Sequence, residues 1–382
     1  MRHAGRGAAL LGLAAAASIA GSTAARATAF SQTNLVSDIP GLAAVTDADL
    51  VNPWGIAASA TSPFWVSDQG TNVSTLYSVT GAGVSRLALT VAIPQTATGP
   101  QGPTGQVNNG TTSFVVNGAP ASFIFANLNG TISAWNNGLG MTAQLQATTP
   151  GASYTGLAIS NGAAGPRLYA ANGAQNRIDV FNGSFAPLSL GPAAFQDADP
   201  RLAGLVPFNV QTIGGNIYVT YAPAGRPAQV AAPAGAGAVA VFDANGTLIQ
   251  TLVAGGNLAS PWGLALAPAS FGAFGGDLLV GNFSYALSEI NAYDPTTGAF
   301  AGTITDANGA PLINSGLWAL TFGNGGNGGN PSTLYFAAGI NGEADGLLGA
   351  IAPIPEPGTL GVLAAGMLSL CIARRRRATE TD

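Results

Sequence analysis

A six-residue phrase near the start of the chain, Asn52-Pro53-Trp54-Gly55-Ile56-Ala57, returns later as Ser260-Pro261-Trp262-Gly263-Leu264-Ala265. Weaker copies are Tyr154-Thr155-Gly156-Leu157-Ala158-Ile159 and Ser315-Gly316-Leu317-Trp318-Ala319-Leu320. Recurrence of this kind means that one supersecondary unit has been repeated, and it restricts the fold to repeat architectures. A second set of apolar runs follows the same beat. It comprises Phe64 to Asp68, Phe123 to Asn127, Leu168 to Asn172, Ile217 to Tyr221, Leu278 to Asn282 and Leu334 to Ala338. Their last residues are separated by 45 to 61 positions. Third strands read at Ser74 to Val79, Thr131 to Trp135, Arg177 to Phe181, Ala238 to Phe242 and Glu289 to Tyr293, and fourth strands at Leu248 to Val253 and Ala301 to Thr305. Asn129-Gly130, Asn245-Gly246 and Asn308-Gly309 supply turns, read as hairpin dipeptides with positive φ. Six units of four short strands predict an all-β fold, a six-bladed β-propeller. A sandwich of similar strand count leaves the recurring Pro-Trp-Gly unexplained.

The last unit stops one strand short of four before the Pro-rich spacer Pro353 to Pro357. A propeller needs a closed ring to avoid an open edge. The segment Ser31 to Ile39 is therefore expected to supply the missing outer strand. Ala222 to Gly237 and Gly323 to Gly329 read as loops, free to move or to meet a partner.

Both ends carry address signals. Arg2, His3 and Arg6 precede the apolar run Ala8 to Ala20, and Ala27-Thr28-Ala29 forms an A-x-A cleavage site. Residues 1–29 thus read as a signal peptide, with Ala27 and Ala29 at the cut and an earlier cut after Ala27 as the alternative. Residues 30–352 are the propeller. Residues 353–382 form a tail with Pro355, Glu356 and Pro357, an apolar run from Gly358 to Ala373, and the cluster Arg374, Arg375, Arg376 and Arg377. The run is about one short membrane span, and arginines behind it favour a cytoplasmic end. This order closely resembles the PEP-CTERM sorting signal of exopolysaccharide-making bacteria. The resemblance implies export, transient anchoring through the C-terminal helix, and cutting near Pro-Glu-Pro by an exosortase. The protein would then reside in the envelope, outer surface or extracellular matrix. The run Leu168-Tyr169-Ala170-Ala171-Asn172-Gly173, with Asn176-Arg177-Ile178-Asp179-Val180-Phe181, is similar to an NHL-type propeller repeat. The span Asn34 to Ile351 resembles a family of secreted bacterial propellers of uncharacterised function. The marks of that resemblance are Asn34-Leu35-Val36-Ser37-Asp38, Leu50-Val51-Asn52-Pro53-Trp54-Gly55 and Thr333-Leu334-Tyr335-Phe336-Ala337-Ala338-Gly339.

Removing both signals removes chemistry. The one His is His3 and the one Cys is Cys371, so residues 30–352 contain neither. That excludes Ser-His-Asp and Cys-His nucleophilic mechanisms, His/Cys zinc sites and disulfides in the exported domain. Between Phe30 and Pro357 five arginines face fifteen carboxylates, a net charge of −10. So acidic a domain is a poor partner for nucleic acid.

Two constellations remain as candidate sites. Trp54 and Trp262 could stack on sugars, but their recurrence with the repeat favours packing between blades. Asp68, Asn127, Asn172 and Asn282 end equivalent strands, and their hard oxygens suit Ca²⁺. The same residues also build Asx turns, and Tyr221 and Ala338 interrupt the ring. No cofactor is demanded by these residues, with Ca²⁺ the ion to consider. The favoured reading is a non-enzymatic surface propeller that binds exopolysaccharide or envelope protein and is served by the secretion machinery and an exosortase. The alternatives are a Ca²⁺-dependent lactonase-like hydrolase and a purely structural surface component.

Overall fold

The computed structural model describes residues 28–97 and 99–355. The signal segment before Thr28 and the tail from Glu356 onward, including Pro357 and Arg374 to Arg377, lie outside the described residues. Ala29 and Pro355 are the described ends of those two signals.

Each blade is an antiparallel sheet that runs outward from an inner strand. Blade 1 is Pro53–Ala57, Phe64–Asp68, Val73–Thr80 and Gly83–Ala92. Blade 2 is Pro103–Asn108, Phe123–Asn127, Thr131–Trp135 and Gln144–Thr148. Blade 4 is Leu205–Ile213, Asn216–Pro223, Ala238–Phe242 and Leu248–Ala254, and blade 5 is Pro261–Leu266, Leu278–Asn282, Ile290–Tyr293 and Phe300–Thr303. The second strands of blades 1, 2, 5 and 6 are buried at every position, because a neighbouring blade covers each face. That is why they read in the sequence as short unbroken apolar runs. Outer strands such as Phe300–Thr303 are exposed or partly exposed and carry a weaker signal.

The ring closes. Each inner strand packs against the inner strands of both neighbours, and that of blade 6, Leu317–Phe322, packs against that of blade 1. The fourth strand of blade 6 comes from the other end of the chain: Phe30–Ser37 pairs antiparallel with Leu347–Pro353. Its Phe30 amide also donates to the Thr305 carbonyl of blade 5 at 2.9 Å. The closing strand anticipated from the short last unit is therefore present. Val45–Thr46 adds a fifth, parallel strand outside it.

Blade 3 departs from the repeat. Tyr154–Gly162, Gly165–Asn172 and Arg177–Asn182 form a three-stranded sheet, and only an isolated bridge from Phe181 to Pro187 marks where a fourth strand would lie. The Asn-Gly turns also differ from expectation. Only the glycines Gly130, Gly246 and Gly309 have positive φ. Asp243 and Asp306 hold two of these turns by accepting backbone N–H groups through their side chains, which makes them Asx turns.

One irregularity recurs in all six blades and shapes the centre. The ladder between first and second strands slips just after Pro53, Pro103, Tyr154, Pro207, Pro261 and Leu317. The bulged residues begin with Trp54, Thr104, Thr155, Phe208, Trp262 and Trp318. A β-bulge bends its strand and re-aims a side chain. In blades 1, 4, 5 and 6 the residue so placed is aromatic, and Trp54, Phe208, Trp262 and Trp318 fall in one cluster. The glycine that follows in four blades has a backbone reason. A Cβ on Gly55, Gly105 or Gly263 would collide with backbone of the next inner strand, at Thr104, Leu157 and Trp318 respectively.

Candidate functional site

The bulged residues divide the central channel into two mouths. Trp54, Phe208, Trp262 and Trp318 meet on the axis together with Phe283. Trp54 and Trp318 stack at 3.5 Å, and Trp262 meets both edge-on. The packing role expected for Trp54 and Trp262 is what the structure shows, and both are nearly fully buried. The partners, however, are other bulged aromatics on the axis. This layer separates a lower cavity of about 330 Å³, among the inner strands, from an upper cavity of about 400 Å³, among the loops.

The upper cavity is the chemically distinctive one. Its wall includes Asn52, Trp54, Gln69, Thr155, Arg226 and Glu343. Arg226 opens the short helix Arg226–Val230 inside the loop after the second strand of blade 4. Glu343 closes the segment Ile340–Glu343 in the matching loop of blade 6. They meet as a two-point pair: Arg226 Nε donates to Glu343 Oε2 at 3.0 Å, and Nη2 donates to Oε1. The guanidinium carbon lies 4.1 Å from the Phe283 ring centroid, 4.8 Å from that of Trp318 and 5.2 Å from that of Trp54. Such cation–π contacts add about 0.5–2 kcal/mol as water is excluded. Burial lowers the affinity of the guanidinium for its proton, and the Glu343 carboxylate opposes that shift. Burial first, with help from Glu343, pushes the nearby Tyr285 hydroxyl up to about 12.

Asn52 ties the pair to the aromatic layer. Its amide donates to Gln69 Oε1 at 2.7 Å and to Glu343 Oε1 at 3.0 Å, and its Oδ1 accepts the Trp318 indole N–H at 3.0 Å. Two features of the site are costly. Asn341, Gly342 and Glu343 all have positive φ, at 52°, 70° and 69°. For a non-glycine residue that conformation costs roughly 1–3 kcal/mol, and such strain clusters at functional sites. The Trp54 indole N–H and Arg226 Nη1 are buried donors with no acceptor.

The four strand-end residues are all buried, and each bonds within its own blade. Asn127 donates to Thr131 and Ser133. Asn172 donates to Gln175 and Asp179, and Asn282 donates to the Asn257 carbonyl and accepts from the Ala259 amide. Asp68 Oδ2 lies 2.7 Å from the Thr75 hydroxyl, which lies 2.9 Å from the Tyr77 hydroxyl, itself donating to Asp47 Oδ2 at 2.7 Å. Burial pushes the Asp68 carboxyl well above its usual range, and the Thr75 hydroxyl that donates to it opposes that shift. The described residues contain no cluster of three or more His, Cys, Asp or Glu side chains placed to hold a metal. No hydrogen bond described here joins one of the four to another. Asp68 Oδ1 and Asn127 Oδ1 have no partner.

Residues 353–377 match the PEP-CTERM protein-sorting motif. The chain is therefore an exported protein, sorted at the cell envelope by an exosortase. Over 334 residues it is 30% identical to uncharacterized protein R648 of Acanthamoeba polyphaga mimivirus, covering 83% of this chain and 78% of the viral protein. Uncharacterized protein L690 of the same virus is also 30% identical, covering 83% of this chain and 84% of its own length. The chain belongs to the same family as these viral proteins. Among solved structures, a streptogramin B lyase superposes with a TM-score of 0.48 at 13% identity, over 84% of this chain and 96% of the lyase. The relatives are uncharacterised, and the six-bladed propeller is what the described residues of this chain form.

Sequence reasoning missed the upper mouth. Glu343 was visible only as a member of the charge count. Arg226 lay in the loop Ala222 to Gly237, read as free to meet a partner, and unlike Arg177 and Arg201, which bond to acids two residues away, it has no acid near it in sequence.

Proposed function

We propose that this propeller is a non-enzymatic binding protein of the cell surface, with its ligand in the upper mouth of the channel. The observation that carries this reading is the pair of buried donors on Trp54 and Arg226 that lack acceptors beside a cavity of ligand size. A glycosidase-like mechanism needs two carboxylates flanking one bond, whereas Glu343 is the one carboxylate on the wall and is held by Arg226. A Ca²⁺-dependent hydrolase would need the Oδ1 atoms of Asn172 and Asn282 to give up the backbone N–H groups they accept, and the described residues hold no cluster of three or more His, Cys, Asp or Glu side chains placed for a metal. We read those four as blade-stabilising residues.

The address completes the proposal. The leader is cut at Ala27-Thr28-Ala29, and the apolar run before Arg374 to Arg377 holds the chain in the membrane until processing near Pro355-Glu356-Pro357. A cut after Ala27 suits the fold better than one after Ala29, because the Ala29 carbonyl accepts the Ile354 amide at 2.8 Å beside the closing strand. Exopolysaccharide is the partner of choice over an envelope protein, since amides and an arginine line the cavity. A glycan screen of the purified protein, read by tryptophan fluorescence, tests the binding reading. At least one glycan is expected to bind with Kd of about 1 mM or tighter. Silence across neutral and acidic glycans alike overturns it.

A further inference from the structure

The upper cavity already holds a carboxylate, and it belongs to the protein. Glu343 grips Arg226 in the two-point geometry that a guanidinium makes with any carboxylate. Three observations set this pair apart from a plain structural bridge. Arg177 and Arg201 pair locally and Arg86 pairs with Asp47 and Asp49 across 39 and 37 residues, whereas Arg226 and Glu343 come from blades 4 and 6 and lie 117 residues apart. Glu343 reaches its seat through three consecutive residues of positive φ. The same guanidinium, whose carbon lies 5.2 Å from the Trp54 ring centroid, keeps Nη1 without an acceptor, and the Trp54 N–H also lacks one.

Building on the binding reading above, we infer that Glu343 is a placeholder, and that the ligand of the upper mouth is a uronate sugar whose carboxylate displaces Glu343 from Arg226. Displacement keeps the charge balanced: one carboxylate leaves the guanidinium as another arrives. Without it, two anions would share one partly buried cation, in a span from Phe30 to Pro357 whose net charge is −10. Release also lets the Asn341–Glu343 backbone relax, which offsets part of the cost of breaking the pair. The two spare donors then meet oxygens of the bound sugar. The rest of the wall favours a sugar over a polyacid. Asn52, Gln69, Gln229, Ser153 and Thr155 are neutral amides and hydroxyls, suited to ring hydroxyls, and Arg226 is the one cation among the lining residues. A single carboxylate on a hydroxylated ring matches that inventory.

Calorimetric titration of the purified protein with galacturonate and digalacturonate tests this, with galactose, galactobiose and an acidic dipeptide as controls. The uronates are expected to bind and the neutral sugars not. Glu343→Gln should tighten uronate binding about tenfold, by weakening the internal competitor. Arg226→Gln should abolish it, and Arg226→Lys, which keeps the charge but loses the fork, should weaken it. Near-UV circular dichroism shows whether each variant keeps the aromatic layer, and the tightening in Glu343→Gln cannot arise from misfolding. If neutral sugars bind as well as uronates, or Glu343→Gln weakens binding, the placeholder idea fails while the binding reading stands. If the dipeptide alone binds, the sugar assignment fails. If the uronates bind neither the parent protein nor Glu343→Gln, the inference is overturned, and the glycan screen judges the binding reading separately.

Discussion

The lower mouth of the channel is made of inner strands and the upper mouth of loops, and the two differ in how they use polar groups. At the lower mouth, polar side chains staple one blade to the next. Gln106 donates to the Gly55 carbonyl at 3.0 Å, Thr212 to the Ile159 carbonyl at 2.8 Å, and Asn209 to the Trp262 carbonyl at 2.8 Å. These groups are neutral and structural. At the upper mouth the loops of blades 4 and 6 bring in a charged pair, strained backbone and a donor without an acceptor. The repeat builds the scaffold, and the chemistry lies where the repeat is broken by loops of unequal length.

The comparison breaks most completely if the ring itself opens. Deleting Phe30–Ser37 removes the closing strand with its buried Phe30 and Val36. The loss should approach the whole stability of the domain, about 5–15 kcal/mol. Calorimetry should show the cooperative transition gone, and an unchanged melting temperature would refute the closure. Next in size is Trp318→Ala, which empties the layer between the mouths. A fully buried tryptophan lost this way costs about 3–5 kcal/mol. Urea denaturation reads the cost, and a change under about 1 kcal/mol would mean that the layer does not hold the centre.

Asn209→Ala sharpens the contrast from the lower side. It should cost roughly 1–2 kcal/mol through the lost bond to Trp262 and leave glycan affinity unchanged. Asp68→Asn is the smallest change and depends on pH. The folded state holds the Asp68 proton above the pH at which the unfolded chain releases it, so stability falls as pH rises from about 4 toward the raised folded pKa. Burial drives the shift, the Thr75 hydroxyl and Arg86 oppose it, and Asp47 and Asp49 nearby reinforce it. Asparagine, the residue at this position in blades 2, 3 and 5, removes that slope. Asp68→Asn should be the more stable protein at pH 7, with the gap closing near pH 4. Parallel melting curves across that range check it, and an equal slope in both proteins would show Asp68 ionised.

The blades were legible because buried second strands leave short apolar runs: Phe64–Asp68, Phe123–Asn127 and Leu278–Asn282 end where the sequence placed them. The inner strands of blades 2 and 4 escaped notice because Thr104 and Phe208 replace the tryptophan, and Asn209 the glycine, of the repeated phrase. The closing strand was inferable from a counting deficit. The missing fourth strand of blade 3 was not, since Pro187 to Pro192 carries no repeat signal. The four strand-end residues were correctly aligned with one another, but alignment gives no hydrogen-bond partners. Long-range pairing of Arg226 with Glu343 has no local trace at all.

The most direct test of the account is a paired titration with the tightest-binding glycan, using Gln69→Ala for the upper mouth and Gln211→Ala for the lower. Gln69 lines the upper cavity, bonding to Asn52 and to the Gln101 carbonyl, and Gln211 lines the lower. The account predicts at least about a tenfold loss of affinity in Gln69→Ala and no change in Gln211→Ala. The reverse pattern would put the ligand in the lower mouth and contradict it.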